Sequence, residues 1–405
     1  MVTPEDFLEL ARRAVKNNLY EYAVRYYEKA IEGGSVEAIT DLADLYRTGT
    51  GVTKNITKAL GLFTRAALLG DGRAMNTLGV IYSGENGVTP DAKKSFEWCR
   101  KAAAAGNLEG MYNVAYKYMQ GDGVERNPET GVNWLKNAAK LGYPPAMYDL
   151  AGLYEKAGNL SNAFMWRLRA ATGGHVNAMN DVGYMYSHGV GVNKDTKAAI
   201  TWYTLASSRD NLPAIKNLAY HYGYGVNVKK DFNESVKFYE RAIVLGDDEA
   251  LSELGDLYLH SGDFENAVKY YNEAVEKGIT GAMVSLALMF LSGQGVVEDY
   301  PQAVSLMQHA ATLGNTEAMA YLGQIFTSSP ERQQQAKHWL IRAAEAGEGL
   351  GMKWLADFLA AEGDYRRAEY WYYKAAEAGV PDAREKLDAI SAAGKISDSG
   401  KFKRN

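Results

Sequence analysis

The chain has 405 residues, 44 Lys and Arg against 49 Asp and Glu for a formal net charge of −5, and 47% hydrophobic residues. Such a length ordinarily means two or three globular domains, a count that fails here because the chain repeats; the composition predicts a folded chain, and an acidic balance without a concentrated basic block argues against nucleic acid, whose binding rests on neutralised phosphates. No apolar run reaches the roughly 20 residues that cross a bilayer, Met1 to Glu9 is acidic where an export signal begins basic, and Cys99 is the only cysteine; the reading is therefore a cytoplasmic protein with no membrane insertion, no intrachain disulfide and no cysteine zinc site.

The first predicted element starts at Thr3-Pro4-Glu5-Asp6, a capping residue followed by proline at the first helical position and acids in the first turn. One helix pair fills the stretch up to Gly34. From there the chain repeats almost to its end, each unit closing on a segment such as KAIEGGSVEA, RAALLGDGRA or KAAEAGVPDA. The phase residues are Gly34, Gly70, Gly106, Gly142, Gly174, Asp210, Gly246, Gly278, Gly314, Gly347 and Gly379; of their ten intervals six are 36 residues, three are 32 and one is 33.

Within a unit, apolar or small residues recur at offsets +4, +8, +11 and +12 from the phase residue, one face of a helix, as in Ala38, Leu42, Leu45 and Tyr46. The tyrosines at +12, namely Tyr46, Tyr82, Tyr118, Tyr154, Tyr186, Tyr222 and Tyr258, are assigned to the core with the rest of that face. Offset +9 is usually Gly or Ala (Gly79, Gly183, Gly255, Gly323), which predicts a close helix approach there. The 36-residue units continue with a GxGV turn, Gly49 to Val52, Gly121 to Val124, Gly189 to Val192 and Gly293 to Val296, read as a left-handed helix cap. At +21 stand Asn55, Asp91, Asn127, Asp195, Asp231 and Asp299, each suited to cap a second helix that carries Trp98, Trp134, Trp202, Phe238 or Leu306. In the 32-residue units the turn shortens to Gly158-Asn159-Leu160, Gly262-Asp263-Phe264 and Gly363-Asp364-Tyr365. A last helix begins near Pro381, and residues 394–405, GKISDSGKFKRN, read as a disordered basic tail. This gives about 23 helices and no strand signal.

The recurring alanine, tyrosine, GxGV, Asp or Asn cap and AAxxG ending, best seen in Ser35 to Gly70, resembles the Sel-one-like repeat family, a relative of the tetratricopeptide repeats; the shorter units, such as Gly262 to Gly278, look more tetratricopeptide-like. The resemblance implies an all-α, right-handed solenoid of about eleven helix-turn-helix repeats plus a terminal helix, a single array over residues 1–393 with units ending near 34, 70, 106, 142, 174, 210, 246, 278, 314, 347 and 379. It also implies a non-catalytic scaffold or adaptor that binds a peptide or folded protein in its concave groove. Helical arrays of similar period that read RNA need a basic partner side, which this chain lacks.

No GxxxxGK[ST], HExxH or GxSxG motif is present, so no enzyme activity and no cofactor is expected. The six histidines are spread over five units and read as exposed or helix-end residues, not metal ligands. Cys99 occupies offset +29, where Phe63, Leu135, Tyr203, Tyr239 and Met307 stand elsewhere, and reads as core.

The family resemblance implies that first helices line the concave surface, and helical geometry turns offsets +3, +6, +7, +10, +13 and +14 away from the core. In the middle units these hold Tyr112, Asn113, Tyr116, Tyr148, Asp149, Asn180, Asp181, Tyr184, Asn217 and Tyr220. Tyrosine there offers an apolar ring with a polar tip, suited to anchoring a partner; equally, the tyrosines at +6 and +10 could pack against adjacent helices. From a different class, the chain could be a stoichiometric inhibitor or immunity protein that occludes an enzyme or toxin. Partner identity and oligomeric state are left open by the sequence.

Overall fold

A computed structural model describes residues 2–226 and 228–392; the basic tail at 394–405 lies outside them. The described residues form 23 α-helices, two short 3₁₀ turns and no strand. Two compact units divide the chain after Asn211, directly beyond Asp210, the phase residue that replaces glycine and still takes a left-handed φ of 57°.

Unit one contains six helical hairpins. They are α1 Pro4–Lys16 with α2 Tyr20–Glu32, α3 Val36–Thr48 with α4 Ile56–Leu68, α5 Gly72–Ile81 with α6 Ala92–Ala104, α7 Leu108–Gln120 with α8 Pro128–Lys140, α9 Pro144–Lys156 with α10 Leu160–Thr172, and α11 Val176–His188 with α12 Thr196–Ser207. Unit two contains five more and a closing helix: α13 Leu212–Tyr224 with α14 Phe232–Val244, α15 Glu249–Ser261 with α16 Phe264–Glu276, α17 Thr280–Ser292 with α18 Tyr300–Thr312, α19 Thr316–Thr327 with α20 Gln333–Glu345, α21 Gly349–Ala361 with α22 Tyr365–Glu377, and α23 Ala383–Ala392. Each is a helical repeat solenoid in which a helix packs on its neighbours in sequence.

The helices begin and end where local chemistry directs. Thr3 and Asp6 close a reciprocal capping box on α1. Asn55, Asp91, Asn127, Asp195, Asp231 and Asp299 each accept a backbone N–H from the first turn of the second helix. The tighter turns do the same through Asn159, Asp263 and Asp364. The first glycine of the GxGV turn is the left-handed cap, with φ of 78° at Gly49 and 81° at Gly121. The second glycine has a separate task. A Cβ at Gly51, Gly123, Gly191 or Gly295 would collide with Tyr20, Ala92, Leu160 or Phe264 respectively, which are the first residues of α2, α6, α10 and α16. The loop backbone thus lies on the start of the preceding repeat's second helix.

The core follows the repeat. Ala38, Leu42 and Leu45 are buried at +4, +8 and +11, and Phe63, Cys99, Leu135, Tyr203, Tyr239 and Met307 at +29. At +9, a Cβ on Gly183 would meet the buried Tyr203 ring at 2.7 Å, and one on Gly255 the Tyr271 ring at 2.7 Å. Burial pushes the Cys99 thiol up to about 11, so it is inert packing material.

Two expectations are corrected. The tyrosines at +12 are half-buried, not core. Their rings sit at the inter-repeat edge: Tyr118 meets Phe96 at 5.3 Å, Tyr186 meets Phe164 at 5.1 Å and Tyr258 meets Phe232 at 5.2 Å, each partner lying on the preceding second helix. Helical rotation carries +12 past the buried +8/+11 stripe, and tyrosine tolerates the edge because its hydroxyl stays wet. Finally, His221 is buried at +11, donating its Nδ1 proton to the Val226 carbonyl at 2.6 Å.

Candidate functional site

In unit one the predicted stripe lies on α7, α9 and α11, where it is bound together across repeats. The Tyr112 and Tyr116 hydroxyls, one helical turn apart on α7, both donate to Asp149 Oδ2 on α9 at 2.7 Å. Their rings stand 4.9 Å apart. Burial raises both phenols above their ordinary range; their contact with each other adds to the rise at Tyr112 and opposes it at Tyr116, and Asp149 raises both, so they remain donors. Asn113 Nδ2 donates to the buried Asn76 Oδ1 on α5 at 2.8 Å.

On α9, Tyr148 stacks on His175 at 4.3 Å and lies 4.0 Å from the Arg167 guanidinium. Arg167 belongs to α10, and its charge reaches Asp181 on α11 at 3.0 Å and Glu155 at 3.2 Å. His175 is also the N-cap of α11, its Nδ1 accepting from the Ala178 amide at 3.2 Å. Burial, aided by Arg167, lowers its pKa against the opposing pull of Asp149 and Asp181, which suits a ring nitrogen that must stay unprotonated to cap. Asn180 has polar partners of its own. Tyr184 differs: 49% exposed, it stacks on His188 at 4.1 Å and presents one ring face to solvent.

In unit two, Asn217 and Tyr220 lie on α13 beside a cavity of about 500 Å³ that they line with Lys216, Tyr224, Tyr239, Glu253 and Asp256. Tyr220 is 49% exposed, and its ring centroid is 5.0 Å from that of Tyr224. Lys216 Nζ is 3.1 Å from both Asp247 and Glu253. Asp256 accepts the Tyr271 hydroxyl at 2.5 Å.

The structure therefore ties Tyr112 and Tyr116 to Asp149, Asn113 to Asn76, and Tyr148 through Arg167 to Asp181, three inter-repeat contact sets, and leaves Tyr184 and Tyr220 as presented rings. It adds residues that the stripe omitted. Lys216, Tyr224, Glu253 and Asp256 fall at offsets +6, +14, +7 and +10, so the same positional rule extended by one repeat finds them. Arg167 comes from a second helix and no first-helix rule reaches it; His175 sits at +1, where only its capping position signals a role. Among the described residues no group of three or more His, Cys, Asp or Glu is placed to hold a metal ion, and no helix is long and apolar enough to cross a membrane.

The Sel1 repeat model matches ten segments of the chain, residues 12–35, 36–71, 72–107, 108–143, 144–175, 176–211, 212–247, 280–315, 316–348 and 359–380. A tetratricopeptide repeat model matches residues 248–277, one of the shorter units. No curated protein matches. Among solved structures the chain is similar to c5321, a protective antigen of uropathogenic Escherichia coli with an SLR fold, at 28% identity over 92% of this chain and 83% of that one, with a TM-score of 0.66. A Sel1 repeat protein from Oxalobacter formigenes is 25% identical over 74% of this chain and 89% of its own, with a TM-score of 0.50. Yeast Tom70, 15% identical over 98% and 97% with a TM-score of 0.50, shares the fold alone.

Proposed function

The chain belongs to the Sel1 repeat family, and on that premise we propose that it is a non-catalytic scaffold or adaptor whose first-helix faces capture a protein segment or folded partner. The carrying observation is the pair of half-exposed rings, Tyr184 and Tyr220. Helix packing does not consume them, and a rigid aromatic with a polar tip gains much on burial at small entropic cost. The inter-repeat network around Asp149 supports the reading by holding the surface in one geometry, which lowers the ordering cost of association. We further propose that both units act within one array over residues 1–393, working in a reducing cytoplasm.

The test is affinity capture from the native cell with wild type and with Tyr184→Ala/Tyr220→Ala. Truncating two anchors is expected to weaken capture at least tenfold, since each anchor contributes about 2 kcal/mol, with circular dichroism unchanged. Adding Tyr116→Ala extends the test to the bonded part of the stripe. Equal yield of the same partner from wild type and variant refutes the site, and a captured toxin or hydrolase reassigns the chain as an inhibitor.

A further inference from the structure

The cavity in unit two combines three features. First, it is roomy, about 500 Å³, within the range that accepts small groups. Second, its wall carries the Tyr220 and Tyr224 rings at 5.0 Å, whose faces attract cations. Third, its charge is unbalanced. Among the described residues that line it Lys216 is the one cation, shared between Asp247 and Glu253, while Asp256 has, among the described residues, a single hydrogen-bond donor, the neutral Tyr271 hydroxyl.

Asp256 is open to water yet walled by protein, and that crowding raises its carboxyl pKa even against the Tyr271 hydrogen bond. Glu253 is raised in the same way despite Lys216. Glu317 on α19, itself raised first by burial and then by Glu348, feels the Asp256 charge too. Glu249 adds its charge to Glu253, and the His260 ring lies 5.2 Å from Tyr224. Carboxylates held without enough counter-charge in a half-dry recess favour an incoming cation over water.

We propose that this cavity is a subsite for a cationic side chain of the protein partner, the guanidinium of arginine or the ammonium of lysine, seated against Tyr220 and Tyr224 with its charge on Asp256. The neutral amide of Asn217 supplies a further polar contact at the rim. The subsite deepens the protein-binding reading and rests on it, but it is testable with no partner in hand.

The experiment titrates the full chain, carrying ¹³C-labelled tyrosine, with N-acetyl-arginine amide, N-acetyl-lysine amide and the neutral isostere N-acetyl-citrulline amide. The Tyr220 and Tyr224 ring signals are assigned from Tyr→Phe variants. Both cations are expected to shift these signals saturably, and citrulline to bind at least tenfold more weakly. Asp256→Asn keeps an acceptor for Tyr271 and is expected to weaken the cations about tenfold, the range for a hydrogen bond to a charged group. If Asp256→Asn fails to fold, Tyr220→Ala at a half-exposed position serves instead, with the cation shifts at Tyr224 expected to weaken. Whichever cation binds more tightly identifies the side chain. Citrulline binding as well as arginine, no shift from either cation, or wild-type binding by the folded Asp256→Asn protein overturns the subsite. A failed titration with intact partner capture removes only the subsite, and a successful titration with failed capture removes only the wider reading.

Discussion

Two glycines in unit one, both inside helices, are expected to respond oppositely to the same substitution. Gly152 in α9 has nothing within 4 Å of an added Cβ, whereas at Gly183 in α11 the Cβ would lie 2.7 Å from Cδ1 and Cε1 of Tyr203 and 3.1 Å from Cγ. Tyr203 is 1% exposed, so its ring has no free direction in which to retreat. Glycine to alanine in a helix gains about 1 kcal/mol of propensity, and Gly152→Ala should keep all of it. At Gly183 the same gain is set against overpacking of about 1–3 kcal/mol, leaving a net change between about zero and 2 kcal/mol of destabilisation. The two variants should therefore differ by about 1–3 kcal/mol, or roughly 2–12 °C in melting temperature for a unit of this size. Thermal and urea melts followed at 222 nm measure it, and because both sites lie in one unit a shared transition is read. In a Tyr203→Ala background the methyl has room, and Gly183→Ala should then become stabilising. Equal stabilisation by the two substitutions in the wild-type background would refute the close-approach account of offset +9.

Asp149→Ala strands two tyrosine hydroxyls and should cost about 1–3 kcal/mol in urea unfolding, whereas Asp149→Asn, which keeps an acceptor, should cost under half as much; equal losses would show that the network is incidental. His175 gives a pH signature. Its folded pKa is lowered, so the unfolded chain binds the proton more readily and stability rises with pH. Its contribution is complete above the ordinary histidine value, about 6.5, and is lost as pH falls through the folded value, when the protonated ring can no longer cap α11. His175→Asn keeps a capping acceptor and should reduce the slope of the urea midpoint against pH over this window. An unchanged slope would remove His175 from the account.

Much of the fold was readable because it is local and repeated. The caps at Asn55, Asp195 and Asp299, the glycine at +9 and the buried set at +29 each depend on residues a few turns apart, and ten intervals repeat the test. The site was only half readable. Offsets identified which side chains leave the core, but not which would then be used by a neighbouring repeat. Tyr116 and Asp149 are 33 residues apart in sequence, and nothing in either helix alone says that one hydroxyl meets the other's carboxylate. Tyr184 and Tyr220, by the same rule, emerge half-exposed. Arg167 shows the larger gap: a long second-helix side chain reaches the first-helix surface to pair with Asp181, which single-helix periodicity does not encode. The tyrosines at +12 were misplaced because an apolar stripe has an edge, and a hydropathy pattern does not distinguish its margin from its centre.

The second glycine of the GxGV loops has a consequence for how such a chain changes length. Because the loop rests on the helix start of its predecessor, at Tyr20, Ala92, Leu160 or Phe264, what it needs upstream is a helix beginning at that spot. Excision of one whole period delivers an equivalent landing place to the next loop, and so does a shortened unit that keeps its second helix, as Leu160 and Phe264 show. Gain or loss of a whole hairpin therefore leaves this contact intact, and the 32- and 33-residue units show that the chain shortens within a period where the GxGV loop itself is given up.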